Sequence, residues 1–124
     1  MKTLLFVAAG GSLGAVLRFL ISNWTYQWLG RGFPWGTLAV NVLGSFLMGL
    51  LFVVFTDRMV INPDLKLGIL VGGLGALTTF STFSIDTLNL MERGAHGAAL
   101  VNSVVSVVAC IFAVWLGLLV AKLI

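Results

Sequence analysis

Four long apolar stretches run along the chain, and only short polar segments separate them. The stretches extend from about Thr3 to Leu29, from Trp35 to Phe55, from Leu67 to Met91 and from Ala98 to Val120. Each supplies the about 20 apolar residues that a bilayer-spanning helix needs, and the roughly 10-residue alternating segments of a membrane barrel are missing. We therefore predict an all-α integral membrane protein with four transmembrane helices, in which residues 1–124 form a single domain.

The composition supports a lipid-facing surface. Charged residues make up 9% of the chain, whereas a soluble domain carries about 25%. The net charge of +3 comes without a run of basic residues, so no nucleic-acid partner is indicated. The sequence has one histidine, His96, and one cysteine, Cys110, with no paired acids and no cluster of metal ligands. An enzyme is therefore not expected.

The amino terminus has a second interpretation. The segment from Met1 to Ala9 has a basic residue followed by a short apolar core, as a signal peptide does. The apolar pattern continues as far as Trp28, however, and three further stretches follow. A first transmembrane helix is therefore the favoured interpretation.

The positive charges at the helix ends favour neither orientation strongly. An even number of spans places both termini on one side of the membrane. That side carries Lys2, Arg58, Lys66 and Lys122, while the opposite side carries Arg31 and Arg93. Four against two is a weak bias under the positive-inside rule. Either direction of insertion has nearly the same cost, so dual topology is expected alongside the alternative of one fixed orientation.

The third stretch does not have the composition of a lipid-facing helix. Its first half holds four glycines, and eight of the twelve residues from Thr78 to Asn89 are polar. Polar groups at membrane depth need partners or water. We predict a helix that is broken between about Gly75 and Thr79, with freed carbonyls satisfied by protein, water or a cation. The alternative is an unbroken helix whose glycines only permit close packing.

Phe80 and Phe83 lie three residues apart in this stretch and share a helix face, near Asp86. Aromatic pairs at this spacing are usually core residues, but here hydroxyl groups surround both rings. An aromatic ring carries positive charge at its edge. Rings turned edge-on to a polar route would therefore attract a small anion.

Polar stripes also mark the second and fourth stretches. Each carries three polar or soft residues at a spacing of four, namely Thr37, Asn41 and Ser45 in the second and Asn102, Ser106 and Cys110 in the fourth. Residues four apart lie on one helix face. Each stripe either bonds to a neighbouring helix or lines a wet route, and the spacing leaves both interpretations open.

Arg18 is the one cation well inside a stretch. An intramembrane arginine is usually paired or borders an aqueous vestibule, and snorkelling to the interface is less favoured ten residues before Trp28. Gly10 and Gly14 form a small-xxx-small pair on the same helix, which predicts close helix packing.

Three segments carry a resemblance to a known family. They are Gly10–Arg18, Gly36–Phe46 and Gly72–Ser84, the last of which contains Thr-Thr-Phe-Ser-Thr-Phe-Ser. Together with the chain length and the four stretches, they resemble the CrcB/Fluc fluoride channels. The resemblance implies a channel of the bacterial inner membrane that exports fluoride passively and confers fluoride resistance. It also implies an antiparallel, dual-topology homodimer in the lipid bilayer, with two pores that are each lined by both subunits.

The resemblance further assigns roles to individual residues. Phe80 and Phe83 would turn their ring edges to fluoride, and Arg18 would lie near a vestibule. The polar lining of the pore would include Thr37, Asn41, Ser81, Thr82, Asn102 and Ser106. The backbone carbonyls of Gly75 and Thr78 would hold a structural sodium ion at the dimer axis. Asp86 stands where other members carry a glutamate, and Asn102 where some carry an aromatic residue.

Two other classes of protein are alternatives to a fluoride channel. A small proton-coupled multidrug exporter also has four helices, but it depends on an acidic residue in the first span. This first stretch has no acid and carries Arg18 instead. A non-transporting assembly factor would not need three separate polar stripes. Fluoride efflux from loaded liposomes distinguishes the three classes.

Overall fold

Six α-helices and two π-helical segments build four long helical spans in the computed structural model, which describes residues 1–124. The α-helices are α1 (Lys2–Leu29), α2 (Trp35–Val53), α3 (Pro63–Leu67), α4 (Gly75–Leu77), α5 (Phe80–Glu92) and α6 (His96–Leu123). One π-helical segment, Val54–Arg58, extends α2, and the other, Gly68–Leu74, joins α3 to α4. All four spans are long and apolar enough to cross a membrane, which confirms the four predicted helices.

The spans are longer than the apolar pattern predicted, because polar residues at their ends are helical as well. The third span begins at Pro63 rather than near Leu67. The side chain of Asn62 caps this helix by accepting hydrogen bonds from the backbone N–H groups of Asp64 and Leu65, at 2.8 and 3.4 Å. A cap of this kind followed by proline at the first helical position is a strong start signal. Hydropathy alone does not detect it.

Two extended residues separate α4 from α5 at the middle of the 30-residue third span. Thr78 has φ −85° and ψ 155°, and Thr79 has φ −152° and ψ 119°. The hydroxyl of Thr79 accepts a hydrogen bond from the backbone N–H of Thr82 at 3.1 Å and so caps α5. The last helical hydrogen bond before the extended residues therefore runs from the N–H of Thr78 to the carbonyl of Leu74, at 3.1 Å, and the helix starts again at Phe80.

Glycines bring α1 and the third span into backbone contact. The α-carbon of Gly10 faces the carbonyl of Gly68, and the α-carbon of Gly72 faces the carbonyl of Val7. Gly14 faces the carbonyl of Gly73 in the same way. This is the close packing that the small-xxx-small pair predicts, and it is confirmed.

The second and fourth spans pack along each other in a similar manner. The α-carbon of Gly49 lies against the backbone of Val114, and that of Gly117 lies against the backbone of Phe46 and Leu50. Between α2 and the third span, Val40, Leu70, Leu74 and Leu77 form the buried apolar core. Only 21 of the 124 residues are buried in the single chain, and most exposed large side chains are apolar. Such a surface matches a lipid environment.

Candidate ion pathway

Asn41 fixes the extended segment of the third span from the facing helix α2. Its Oδ1 accepts a hydrogen bond from the backbone N–H of Thr79 at 2.7 Å, and its Nδ2 donates to the carbonyl of Thr79 at 3.1 Å. A carboxamide offers one donor group and one acceptor, and both are used here. Because Thr79 is removed from the helical ladder, its N–H and C=O would otherwise lack partners in a medium without water. Asn41 therefore supplies the hydrogen bonds that the interrupted helix has lost.

A cavity of about 380 Å³, which we call the aromatic cavity, opens beside this segment. Its lining includes Asn41, Thr79, Phe80, Phe83, Ser106 and Cys110. The two phenyl rings have their centroids 5.3 Å apart and are tilted by 47°. Phe80 is 77% exposed, so its ring is not a core residue of the single chain. Both rings thus border the cavity, and that of Phe80 is also exposed on the adjoining surface.

A second, more polar space lies on the opposite side of Thr79 and consists of two adjoining cavities, together called the vestibule. The inner cavity, about 500 Å³, is lined by residues that include Arg18, Thr37, Thr79 and Thr82. The outer cavity, about 480 Å³, includes Arg93 and Glu92 in its lining. Both cavities share Tyr26, Arg31 and Asp86, which we call the neck.

Thr79 lines both the inner vestibule and the aromatic cavity. Its side chain is 7% exposed, and its hydroxyl also donates to the hydroxyl of Thr82 at 3.0 Å. One residue with a hydroxyl group therefore stands between the two spaces. The spaces from the outer vestibule, through the neck and past Thr79, to the aromatic cavity therefore adjoin one another through shared lining residues, and we call this series the route. Its vestibule end is polar, and the aromatic cavity is mostly apolar.

Hydrogen bonds hold the polar groups along this route. The hydroxyl of Thr37 donates to Oδ2 of Asp86 at 2.6 Å, and the hydroxyl of Tyr26 lies 3.5 Å from that of Thr37. On α6, Nδ2 of Asn102 donates to the hydroxyl of Thr87 at 2.9 Å, and Ser106 donates to Oδ1 of Asn102 at 3.2 Å. Every buried side-chain nitrogen or oxygen in the chain has a hydrogen-bond partner. The polar stripes therefore bond helices together and also border the route.

The predicted pore residues fall into separate places. Asn41, Phe80, Phe83 and Ser106 line the aromatic cavity, whereas Arg18, Thr37 and Thr82 line the inner vestibule. Ser81 is exposed on α5 and lines neither space. Asn102 is only 2% exposed and likewise lines neither. The expectation that Asp86 shares the surface of the phenyl rings is wrong, because Asp86 faces the vestibule.

Sequence reasoning did not select Tyr26, Arg31 or Thr79 as site residues. An aromatic and a basic residue near the end of a span are typical of the membrane interface, so their residue types alone do not indicate a site. Tyr26 lies on α1, whereas Arg31 follows the turn in which Gly30 has φ +78°. Thr79 could have been selected from its capping position before α5, since threonine is a frequent N-cap residue.

The chain holds no group of three or more His, Cys, Asp or Glu residues that could bind a metal ion. The residues predicted to hold sodium offer backbone oxygens instead. None of the turn, loop or cap hydrogen bonds ends on the carbonyl of Gly75 or Thr78, and Gly75 is exposed. Carbonyl oxygens are hard ligands that suit a hard cation. The two carbonyls therefore fit such an ion chemically, but one chain offers too few of them to surround it.

Four helical spans, each long and apolar enough to cross a membrane, define a multi-pass helical membrane protein. Comparison with known proteins shows the family to which it belongs. The family model described as "CrcB-like protein, Camphor Resistance (CrcB)" matches residues 5–118, and the chain belongs to this family.

Relatives of similar length are closely similar to this chain. A protein of Magnetococcus marinus named "Fluoride-specific ion channel FluC" is 58% identical over 119 residues, which cover 96% of this chain and 97% of the relative. Proteins of the same name from Shewanella pealeana and Citrifermentans bemidjiense are 56% and 46% identical. The alignment with the Shewanella pealeana protein covers 94% of both chains, and that with the Citrifermentans bemidjiense protein covers 98% of both.

Proposed function

We propose that the protein is a fluoride-selective ion channel that exports fluoride passively across the bacterial inner membrane and thereby confers resistance to fluoride. The observation that carries this proposal is the series of adjoining cavities from the vestibule past Thr79 to Phe80 and Phe83. It lies in a chain that is similar over nearly its full length to relatives named as fluoride-specific channels. A proton-coupled exporter is not favoured, since α1 contains no acidic residue.

The geometry supports a mechanism in which protein donors replace the water around fluoride. The guanidinium group of Arg18 attracts the anion into the inner vestibule, where the hydroxyl of Thr82 is available and that of Thr37 is bonded to Asp86. Beyond Thr79, the electropositive edges of Phe80 and Phe83 continue the coordination. The hydroxyl of Ser106 joins them when it turns from Asn102 to the ion. Selectivity in a narrow pore depends on how well fixed groups substitute for the hydration shell. A larger anion fits the same donors less well.

Fluoride efflux from liposomes tests this proposal directly. Vesicles that hold the purified protein and are loaded with potassium fluoride should release fluoride when a potassium ionophore is added, as measured by a fluoride electrode. Vesicles loaded with potassium chloride should release chloride at least about 100-fold more slowly, because the donors are spaced for the smaller ion. Equal rates for the two anions, or no fluoride release above that of empty vesicles, would overturn the proposal.

We further propose that the working channel is an antiparallel homodimer of dual topology. In the single chain, Phe80, Ser81 and Gly75 are exposed near the middle of the third span. Serine hydroxyls and free carbonyls at that depth need a polar partner. A second copy that packs on this surface supplies it and closes the aromatic cavity. The weak bias of basic residues between the two sides permits the opposite insertion that an antiparallel pair requires.

A structural sodium ion at the two-fold axis completes this proposal. The carbonyls of Gly75 and Thr78 from each of two copies would hold it, which gives about four oxygens where one chain gives two. The ion would supply positive charge to the unpaired carbonyl oxygens and join the two third spans. It would be structural rather than transported.

Replacing sodium with a large organic cation during purification should therefore lower the fraction of dimer measured by light scattering. Fluoride flux should fall in parallel and return when sodium is added. Potassium serves as the control, because it tests whether any small cation suffices. An unchanged dimer fraction and unchanged flux in rigorously sodium-free buffer would show that no such site exists.

A further inference from the structure

The neck of the vestibule contains a positive charge that the fluoride mechanism above does not use. Arg31 is one of three residues that line both vestibule cavities, which places it where the outer and inner cavities adjoin. Its guanidinium carbon lies 4.6 Å from the centre of the Tyr26 ring. Its Nη2 donates to Oδ1 of Asn23 at 3.4 Å. Two contacts from α1 therefore orient the exposed side chain of Arg31.

The guanidinium group retains most of its capacity to bind an anion. It carries five N–H donors, and the chain uses one of them, in the contact with Asn23. Stacking on Tyr26 occupies the flat face of the group and leaves its edge, where the donors are, directed elsewhere.

Asp86 is the one opposing charge in the neck, and the vestibule as a whole keeps an excess of one positive charge. The vestibule as a whole contains three arginines, at 18, 31 and 93, against two acids, Asp86 and Glu92. Asp86 faces Arg31 across the neck, and its Oδ2 accepts a hydrogen bond from Thr37. Glu92 and Arg93 line the outer cavity only, and Arg18 lines the inner cavity only. Arg31 is therefore the cation positioned where the two cavities meet.

We propose that Arg31 forms an entry site for small monovalent anions, in which its guanidinium group concentrates fluoride at the neck before the ion reaches Arg18. This inference rests on the proposed fluoride conduction and adds a residue that sets the rate of entry. Charged groups that line a cleft raise the local concentration of the opposite charge, and they do so most strongly at low ionic strength. Arg31 acts on entry and leaves the selectivity at the phenyl rings unchanged.

The test is the fluoride flux of Arg31→Gln at two ionic strengths. At about 0.01 M salt, where the Debye length is about 30 Å, we expect flux about three- to ten-fold below that of the unmodified protein. At about 1 M salt, where the Debye length is about 3 Å, the two fluxes should agree within about two-fold. Arg31→Lys keeps the charge and should retain most of the flux at low salt. The preference for fluoride over chloride should be the same in all variants.

Arg58→Gln is the matched control, because it removes the same charge from an exposed arginine that lines neither the vestibule nor the aromatic cavity. Its flux should equal that of the unmodified protein at both ionic strengths. Equal flux for Arg31→Gln and Arg58→Gln at low salt would overturn the inference. So would a loss in Arg31→Gln that is the same at both ionic strengths, since it would not be electrostatic. If the unmodified protein carries no fluoride, the proposed function itself fails, which is a separate result.

Discussion

Asn41→Leu is expected to abolish fluoride flux while leaving the four helical spans in place. Leucine is similar in size to asparagine but cannot bond to Thr79, whose N–H and C=O both depend on this one side chain. Leaving a buried polar group unpaired costs about 1–3 kcal/mol, and two groups are affected. Since about 1.4 kcal/mol changes an equilibrium tenfold, the extended conformation should become a minor state. Two groups at about 1 kcal/mol or more each give about 2 kcal/mol or more, so flux from liposomes should fall at least about 30-fold.

Two further measurements show whether Asn41 holds the backbone of Thr79 in place or only lines the pore. Hydrogen–deuterium exchange of peptides that contain Thr78 to Thr82 should become faster in Asn41→Leu, because the backbone there is no longer held. Asn41→Asp keeps the acceptor for the N–H of Thr79 but cannot donate to its carbonyl, so it should also lose flux. Ser84→Ala is the control, since the Ser84 hydroxyl bonds only to the carbonyl of Phe80 in its own helix. Unchanged exchange in Asn41→Leu would mean that Asn41 does not hold the segment.

The four spans could be predicted from the sequence because hydropathy reports directly on the lipid that surrounds them. In a chain with 9% charged residues, a sufficiently long run of apolar residues has few structural alternatives to a membrane-spanning helix. The exact ends could not be predicted in this way. They depend on local hydrogen bonds, such as the cap by Asn62 on α3 and the bonds from Gly94 and Ala95 to the carbonyls of Met91 and Leu90 that finish α5.

The candidate site was predictable in its residue types but not in its arrangement. Asp86 lies three residues after Phe83, and this spacing predicts that it shares the helix face of Phe80 and Phe83. A turn of an α-helix takes 3.6 residues, however, so each step of three falls short of a full turn. Over two such steps the offset turns Asp86 toward α2, where Thr37 meets it. The pairing of Asn41 with Thr79 joins residues 38 positions apart, and no local pattern encodes it. Contacts between spans decide which polar residues meet, and a single sequence does not contain them explicitly.

Gly10→Ala and Gly72→Ala are expected to prevent correct assembly of the first and third spans. A methyl group on Gly10 would overlap the carbonyl oxygen of Gly68, and one on Gly72 would overlap that of Val7. Both obstacles are backbone atoms, which cannot rotate away as a side chain does. Overpacking in a well-packed interior costs about 1–3 kcal/mol even where side chains can adjust. We expect loss of the monodisperse species in size-exclusion chromatography and a lower unfolding temperature in detergent.

The neighbouring glycines provide controls that share the same helices and the same chemical change. A methyl group on Gly11 would meet nothing closer than the carbonyl oxygen of Gly72 at 4.0 Å, and one on Gly73 nothing closer than that of Gly68 at 3.7 Å. Alanine is favoured over glycine by about 1 kcal/mol in a helix interior, so Gly11→Ala and Gly73→Ala should be as stable as the unmodified protein or slightly more so. All four variants gain the same helix propensity. A difference in stability between the two variants of an adjacent pair therefore cannot result from helix propensity. If Gly10→Ala and Gly11→Ala gave the same chromatographic profile and unfolding temperature, the backbone contact between α1 and the third span would be wrong.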